Sequence, residues 1–334
     1  MGRRCMYKGL KVAVVTPAYC EEGRIGNVIR ELPAWVDHIV VVDDKSGDDT
    51  FGAIQRLGDP RVTALRHEEN QGVGGATITG FDRACALGAD IIVKMDGDGQ
   101  MDPGGLSAMI EPIRLREADF TKGNRFLHTR QLVQMPFMRR IGNVGLSFMA
   151  KAASGYWSNF DPTNGYLAMH ATVWRILDHQ RLQRRFFFEN SLLLELGLTR
   201  AVVRDVYMPA RYGDKVSHLS ERKALLEFPR LLLRGFLRRI LLQYFIRDFS
   251  AVSLFLLSGI FACAFGLAWG LYHWWHFAQL QIPTPVGTVM IAVLPLVIGL
   301  QLLLQALVMD IQNVPREPVQ REHGLAGDGV NLSA

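Results

Sequence analysis

Short apolar runs rich in β-branched residues recur through the first third of the chain: Leu10–Thr16 (LKVAVVT), Ile39–Val42, Val62–Leu65 and Ile91–Met95. Segments with helical spacing fit between them, Ile25–Leu32, Thr50–Leu57 and Thr77–Leu87. Strands alternating with helices predict an α/β fold, a mostly parallel sheet with helices on both faces. Ligands of such sheets bind at the carboxyl ends of the strands. The polar clusters fall at those ends: Thr16–Glu22 after the first strand, Asp43–Ser46 after the second, Asn70–Gly75 after the third and Asp96–Gln100 after the fourth. Four clusters on one rim point to a binding site where a single cluster would not.

The pattern changes late in the chain. Residues 249 to 309 contain no Asp, Glu, Lys or Arg. Ser250–Tyr272 and Val286–Met309 are apolar runs of about 23 residues each, which as helices reach ~35 Å and span a bilayer core with some tilt. His273–Pro285 between them carries Trp274, Trp275, two histidines, Pro283 and Pro285. Prolines break helices and tryptophans favour the membrane interface, so the pair reads as a transmembrane hairpin. Arg230, Arg234, Arg238, Arg239 and Arg247 precede the first span, Arg316 and Arg321 follow the second, and the linker has no Lys or Arg. The positive-inside rule puts both ends in the cytoplasm. From about Leu219 to Arg247, arginines alternate with Leu, Phe and Ile; Pro229 is expected to separate two short interfacial helices, with Leu231, Leu232, Phe236, Ile240 and Leu241 toward lipid and the arginines near phosphate. The expected parts are a soluble domain (1–217), juxtamembrane helices (218–248), two spans (249–310) and a cytoplasmic tail (311–334).

Charge and cysteines add little to this picture. A net charge of +5 on 334 residues does not by itself point to nucleic acid. The basic residues gather just before the charge-free stretch, which suits anionic lipid. Cys5, Cys20, Cys85 and Cys263 form no CxxC pair and match no zinc or disulfide spacing, as expected of free thiols in a reducing compartment. Met1–Gly9 is short and basic without a long apolar core, so no secretory signal is expected and the soluble domain should stay cytoplasmic, on the inner face of the plasma membrane.

The strand-end clusters carry the chemistry. Asp96-Gly97-Asp98-Gly99-Gln100 places two carboxylates one residue apart after an apolar strand, where they can meet one hard cation, Mg2+ or Mn2+, that bridges a diphosphate; Gln100 can add a neutral oxygen. A carboxylate at Asp43 or Asp44 can accept hydrogen bonds from a base or ribose, while Ser46, Asp48 or Asp49 caps the next helix. The GxGG within Asn70–Gly75 follows the third strand rather than the first, which disfavours a dinucleotide fingerprint. A close backbone approach to a donor at Gly75, or tight helix packing, fits better.

Thr16-Pro17-Ala18-Tyr19, Glu21-Glu22, VVDDKSGDDT, NQGVGGA and DGDGQ, in this order and spacing, resemble the inverting family-2 glycosyltransferases of the GT-A fold. The two-span hairpin resembles the branch that includes dolichol-phosphate mannose synthases and bacterial polyprenyl-phosphate glycosyltransferases. The motifs cover roughly residues 10 to 217. Cys20 stands where that family usually has Asn, and Lys45-Ser46 where Gly-Ser is commoner. The resemblance implies that Pro17, Ala18, Tyr19, Glu21 and Asp44 line the nucleotide pocket and that Asp96, Asp98 and Gln100 hold the metal. It also implies that Arg125, with Arg139 and Arg140, holds a lipid phosphate, for which guanidinium groups have the matching fork. Asp161-Pro162-Thr163-Asn164-Gly165 resembles the motif near the donor sugar, and Arg211 and Lys215 lie in a segment resembling the loop that closes over the diphosphate. Many relatives have Glu-Asp where this chain has Glu189-Asn190, the Asp serving as general base. Glu189 remains a candidate base or sugar contact. A phosphate acceptor is already ionised near neutral pH and needs little deprotonation, so Asn190 favours a lipid phosphate.

The expected activity is therefore transfer of a hexose from a UDP- or GDP-linked donor to a polyprenyl phosphate, at a membrane and without nucleic acid. The rival readings are a family-2 enzyme acting on a hydroxyl and an inactive scaffold of the same fold. A polysaccharide synthase is disfavoured by the missing Gln-x-x-Arg-Trp motif and by the two spans. The hairpin also offers a face for packing against copies of itself, as in a homo-oligomer such as a tetramer.

Overall fold

A computed structural model describes the backbone of residues 6–124, 137–159, 164–208 and 221–324, and the side chains within them except at 137–143, 221–226 and 322–324. The chain divides into two compact units, Met1–Gly235 with Pro315–Ala334, and Phe236–Val314.

The first unit is built on a seven-stranded sheet: β1 (Val12–Ala18), β2 (His38–Asp43), β3 (Val62–Arg66), β4 (Ile91–Lys94), β5 (Phe120–Asn124), β6 (Leu167–His170) and β7 (Val203–Tyr207), in spatial order β3-β2-β1-β4-β6-β5-β7. β1 pairs in parallel with β2 and β4, and β2 with β3. β6 runs antiparallel to β4 and β5, and β5 lies parallel to β7. The carboxyl ends of β1–β5 and β7 therefore share one rim. β1, β2 and β4 are apolar along nearly their whole length because helices cover both faces, as parallel sheets require. The covering helices are α1 (Ile25–Arg30), α2 (Thr50–Gln55), α3 (Gly72–Ala86), α4 (Leu106–Arg114), α5 (Phe137–Ser154), α6 (Ala171–Ile176) and α7 (Phe188–Thr199). Val12, Val14, Ile25, Ile29, Val41, Val93, Met109 and Ile110 belong to the main core on one face.

α3 begins at Gly72, five residues before the expected Thr77. Its cap comes from another strand: Asp44 accepts from Gln71 N at 2.9 Å and Gly72 N at 2.7 Å. A carboxylate there satisfies open helix N–H groups and the helix dipole, and no local sequence pattern reports it. The chain from Pro315 returns to this unit rather than forming a separate tail. The Asp119 carboxylate accepts from Val319 N and Gln320 N, both at 2.9 Å, at the start of α11 (Val319–Gly324), and Gln320 Nε2 donates to the carbonyls of Ile113 and Ala118.

α8 (Glu221–Leu241) is one continuous helix with Pro229 inside it, against the expected break. A proline within a helix gives up one backbone hydrogen bond, and here the helix passes through without stopping. Its faces also differ from the expectation. Leu232 is buried, and Leu233 and Leu237 join Leu241, which is exposed as expected, in the apolar stripe. Arg239 is 2% exposed and pairs with Asp310.

In the second unit a π-helical turn (Leu242–Arg247) leads to α9 (Ala251–Gln279) and α10 (Val286–Gln312), two helices long and apolar enough to cross a membrane. α9 continues seven residues past Tyr272 because no proline intervenes before Pro283. Trp274 and Trp275 therefore sit exposed on its last turns rather than in a loop. The helices approach closely at glycines: a Cβ on Gly266 would lie 2.6 Å from Ala292 O, and one on Gly299 2.7 Å from Cys263 Sγ. Arg239 forks onto Asp310, Nη1 to Oδ1 at 2.7 Å and Nη2 to Oδ2 at 2.8 Å. Tyr244 Oη donates to the same carboxylate at 2.5 Å, and Ser253 Oγ donates to Tyr244 O.

Candidate active site

One side of the rim is formed by β1, β2 and the α3 N-terminus. Pro17 and Ala18 end β1, with Gly97 N donating to Pro17 O at 3.3 Å and Asp44 N to Ala18 O at 2.9 Å. Tyr19 follows and is 54% exposed. Glu21 is buried; its N–H donates to Thr50 Oγ1 and its carboxylate accepts from Arg24 at 3.3 Å. Both aspartates after β2 are buried and held by protein groups. Asp43 accepts from Ser46 N at 3.0 Å and pairs with Arg66 Nε at 3.1 Å. Asp44, besides capping α3, meets His67 Nδ1 at 2.7 Å, and His67 Nε2 meets Thr79 Oγ1 at 3.0 Å. Of the three capping candidates before α2, Asp49 occupies the N-cap position without a side-chain cap bond, Asp48 accepts from Thr50 N at 3.2 Å, and Ser46 Oγ accepts from Cys20 N at 2.9 Å.

The glycines of Asn70–Gly75 serve packing. Gly72 has φ +85°, which favours glycine, and a Cβ on Gly74 would lie 2.4 Å from Gln183 O and 2.8 Å from Phe188 Cβ. Gly75 N donates to Arg184 O at 2.9 Å. This close approach brings the start of α7, and with it Glu189, against the α3 N-terminus.

At the end of β4 the structure gathers charges that the motifs alone leave scattered. Lys94 is wholly buried, and its Nζ donates to Asp96 Oδ1 (2.7 Å), Gly165 O (3.2 Å) and Glu189 Oε1 (3.3 Å). Burial favours the neutral amine, but Asp96 and Glu189 outweigh it and the lysine pKa is raised. Burial raises the Glu189 carboxyl above its ordinary value, partly offset by Lys94. Asn190 is buried. Lys94 is the site residue the motif reading missed; its signal was a lysine inside the apolar IIVKM run.

Asp98 Oδ1 accepts from Gln100 N at 3.0 Å, and a cleft beside Asp98 is lined in part by Arg24, Glu31 and Met101. The donor set of Asp96, Asp98 and Gln100 is all oxygen, which suits Mg2+ or Mn2+. Among the described residues no three His, Cys, Asp or Glu side chains gather as a metal cage.

Toward β5 and β7, Asp205 accepts from Asn124 Nδ2 at 3.0 Å and Asn159 Nδ2 at 2.9 Å, with Lys122 Nζ at 3.3 Å. Asn164 is buried and accepts from Tyr166 N at 3.0 Å. Arg125, Asp161, Arg211 and Lys215 lie outside the described residues, as do the side chains of Arg139 and Arg140 on α5.

A family model described as Glycosyl transferase family 2 matches residues 13–192. The chain is 34% identical over 190 residues to a UDP-N-acetylglucosamine–dolichyl-phosphate N-acetylglucosaminyltransferase of Methanococcus voltae, covering 52% of this chain and 75% of that one. It is 31% identical over 249 residues to polyprenol monophosphomannose synthase of Mycolicibacterium smegmatis, covering 69% and 89%. Among solved structures it resembles glucosyl-3-phosphoglycerate synthase from Mycobacterium tuberculosis in complex with UDP, with a TM-score of 0.51 at 22% identity over 70% of this chain and 80% of that one. A complex of the same enzyme with Mn2+, UDP and glucosyl-3-phosphoglycerate gives a TM-score of 0.50 at 19% identity, again over 70% and 80%. The likeness is one of fold, a GT-A-like mixed sheet.

Proposed function

The chain belongs to glycosyl transferase family 2, and on that premise we propose that it moves a hexose from a UDP- or GDP-linked donor to a polyprenyl phosphate at the cytoplasmic face of a membrane. An acceptor phosphate oxygen bonds to the anomeric carbon while the bond from that carbon to the donor's diphosphate oxygen breaks. Attack from the opposite face inverts the configuration. Pro17, Ala18, Tyr19, Glu21, Asp43, Asp44 and Gly75 surround the nucleotide in this reading, the buried aspartates by holding the backbone that meets it. Asp96, Asp98 and Gln100 would hold Mg2+ or Mn2+, which would supply charge neutralisation for the departing nucleoside diphosphate. Arg125, Arg139 and Arg140 hold the acceptor phosphate, and Asp161, Asn164, Arg211 and Lys215 attend the donor sugar and diphosphate. The two apolar helices anchor the enzyme with both ends of the hairpin cytoplasmic.

One observation carries the choice of acceptor. Glu189 is tied to Lys94 and its neighbour Asn190 cannot ionise, so the site suits a nucleophile that arrives as an anion. A second reading, a hydroxyl acceptor with Glu189 as base, draws support from the raised pKa of that carboxyl. The named relatives that act on dolichyl and polyprenyl phosphates favour the first. The test is transfer of radiolabel from a panel of UDP- and GDP-sugars to undecaprenyl or dolichyl phosphate, with Mn2+ and then with EDTA. A labelled, organic-extractable product that disappears with EDTA is expected. Label in a glycan or a free sugar alcohol, with none on lipid phosphate, would move the assignment to the hydroxyl reading.

A further inference from the structure

We propose that Lys94 is a positioning residue of the transfer site, a fixed ammonium that holds Asp96 at the end of β4 and Glu189 at the start of α7 in one arrangement. The inference rests on the proposed role of Asp96 toward a donor-bound cation and goes beyond it, because nothing in that role calls for a lysine.

Three observations carry it. Lys94 is wholly buried, yet all three of its N–H donors have acceptors, one each from Asp96, Gly165 and Glu189. A buried ammonium with each donor matched is held in one place, and so are the groups it binds. The three acceptors come from separate parts of the fold: the end of β4, the turn before β6 and the first turn of α7. Space around the ammonium is closed as well. A Cβ on Gly165 would lie 2.7 Å from Lys94 Nζ and 2.8 Å from Asp96 Oδ2, so this turn admits only glycine while the lysine keeps its place. An apolar residue at position 94 would continue the IIV run of β4 just as well, and would leave Asp96 and Glu189 facing each other without a cation between them.

Lys94 therefore acts through two partners, and each has its own readout. Through Asp96 it fixes the carboxylate proposed to meet the metal–nucleotide complex; through Glu189 it fixes the candidate base or sugar contact. The test uses the full chain purified in detergent, with K94M, G165A, E189Q and the K94M/E189Q pair. Mn2+-dependent binding of UDP and GDP is followed by calorimetry, turnover by lipid-linked product, and folding by melting temperature. K94M should weaken Mn2+-dependent nucleotide binding by at least about fivefold and lower kcat by at least about tenfold, with the double variant within about threefold of the worse single variant. G165A keeps the lysine but crowds its ammonium, and should move both readouts in the same direction should K94M not fold. Nucleotide binding that is unchanged or tighter in K94M and G165A would overturn the proposal, the tighter result reducing Lys94 to a charge that opposes the metal. Losses in kcat that multiply across K94M and E189Q would overturn the link to Glu189. Nucleotide binding needs no acceptor, so it still tests Lys94 if the wild-type chain forms no lipid-linked product and the proposed acceptor is wrong.

Discussion

At the residue scale, two of the departures from the family pattern, Cys20 and Lys45, share a backbone explanation. Cys20 and Lys45 have φ of +56° and +61°, the left-handed region where Gly and Asn are at ease and other side chains cost roughly 1–2 kcal/mol. The usual Asn and Gly at these positions meet a conformational demand, and this chain meets the same demand with strained residues. Cys20→Asn and Lys45→Gly should each raise stability by about 0.5–1 kcal/mol, read as a higher melting temperature; no change in either would mean that the turn relaxes around the larger side chain. Gly74 makes the opposite demand. Its φ needs no glycine, but a methyl there meets Gln183 O and Phe188 Cβ. Gly74→Ala should cost about 1–3 kcal/mol by overpacking, and because Phe188 precedes Glu189 it should also lower turnover. A variant as stable and active as wild type would show that the 183–188 segment yields freely.

At the element scale, the legible features were those written in local pattern. The four parallel strands and the rim they share followed from runs such as LKVAVVT and from the polar residues closing them. The features that were not legible depend on partners distant in sequence. The cap of α3 is Asp44, from the end of β2. The ammonium joining Asp96 to Glu189 reads in sequence as an ordinary strand residue, because its partner lies 95 positions away. Arg239 reads in sequence as one more arginine near phosphate, because helical periodicity cannot see Asp310 on α10. That pair sets the strongest prediction for the hairpin. A buried fork loses its compensation when one partner goes, so Arg239→Ala should destabilise the second unit by about 3–5 kcal/mol, and Arg239→Ala with Asp310→Ala by distinctly less. Thermal aggregation of the detergent-solubilised chain measures both. Equal losses in the single and double variants would mean that Tyr244 and Ser253 hold the junction without the ion pair.

At the scale of the whole molecule, the connectivity constrains how the chain meets a membrane. The first unit contains both the residues before the hairpin and those after it, and the returning chain is held by Asp119, which accepts from Val319 N and Gln320 N, and by the Gln320 side chain on the Ile113 and Ala118 carbonyls. A hairpin whose two ends lead into one folded unit must enter and leave the bilayer on the same side. The proposed side is the cytoplasm, because arginines precede α9 and follow α10 while the linker has none. Cys20 is exposed on the first unit and serves as a native reporter once Cys5, Cys85 and Cys263 are replaced by serine or alanine. An impermeant maleimide applied to intact cells should leave Cys20 unlabelled and should label it after permeabilisation. In a Cys20→Ala background, Gln281→Cys in the short segment between the helices should label in intact cells. Labelling of Cys20 from outside would reverse the orientation and remove a nucleotide-sugar from reach, since the rim of β1–β4 would then face away from the compartment that supplies the donor. Protection of both positions in intact cells would instead mean that α9 and α10 lie along or within one leaflet, and the enzyme would be anchored to the membrane without crossing it.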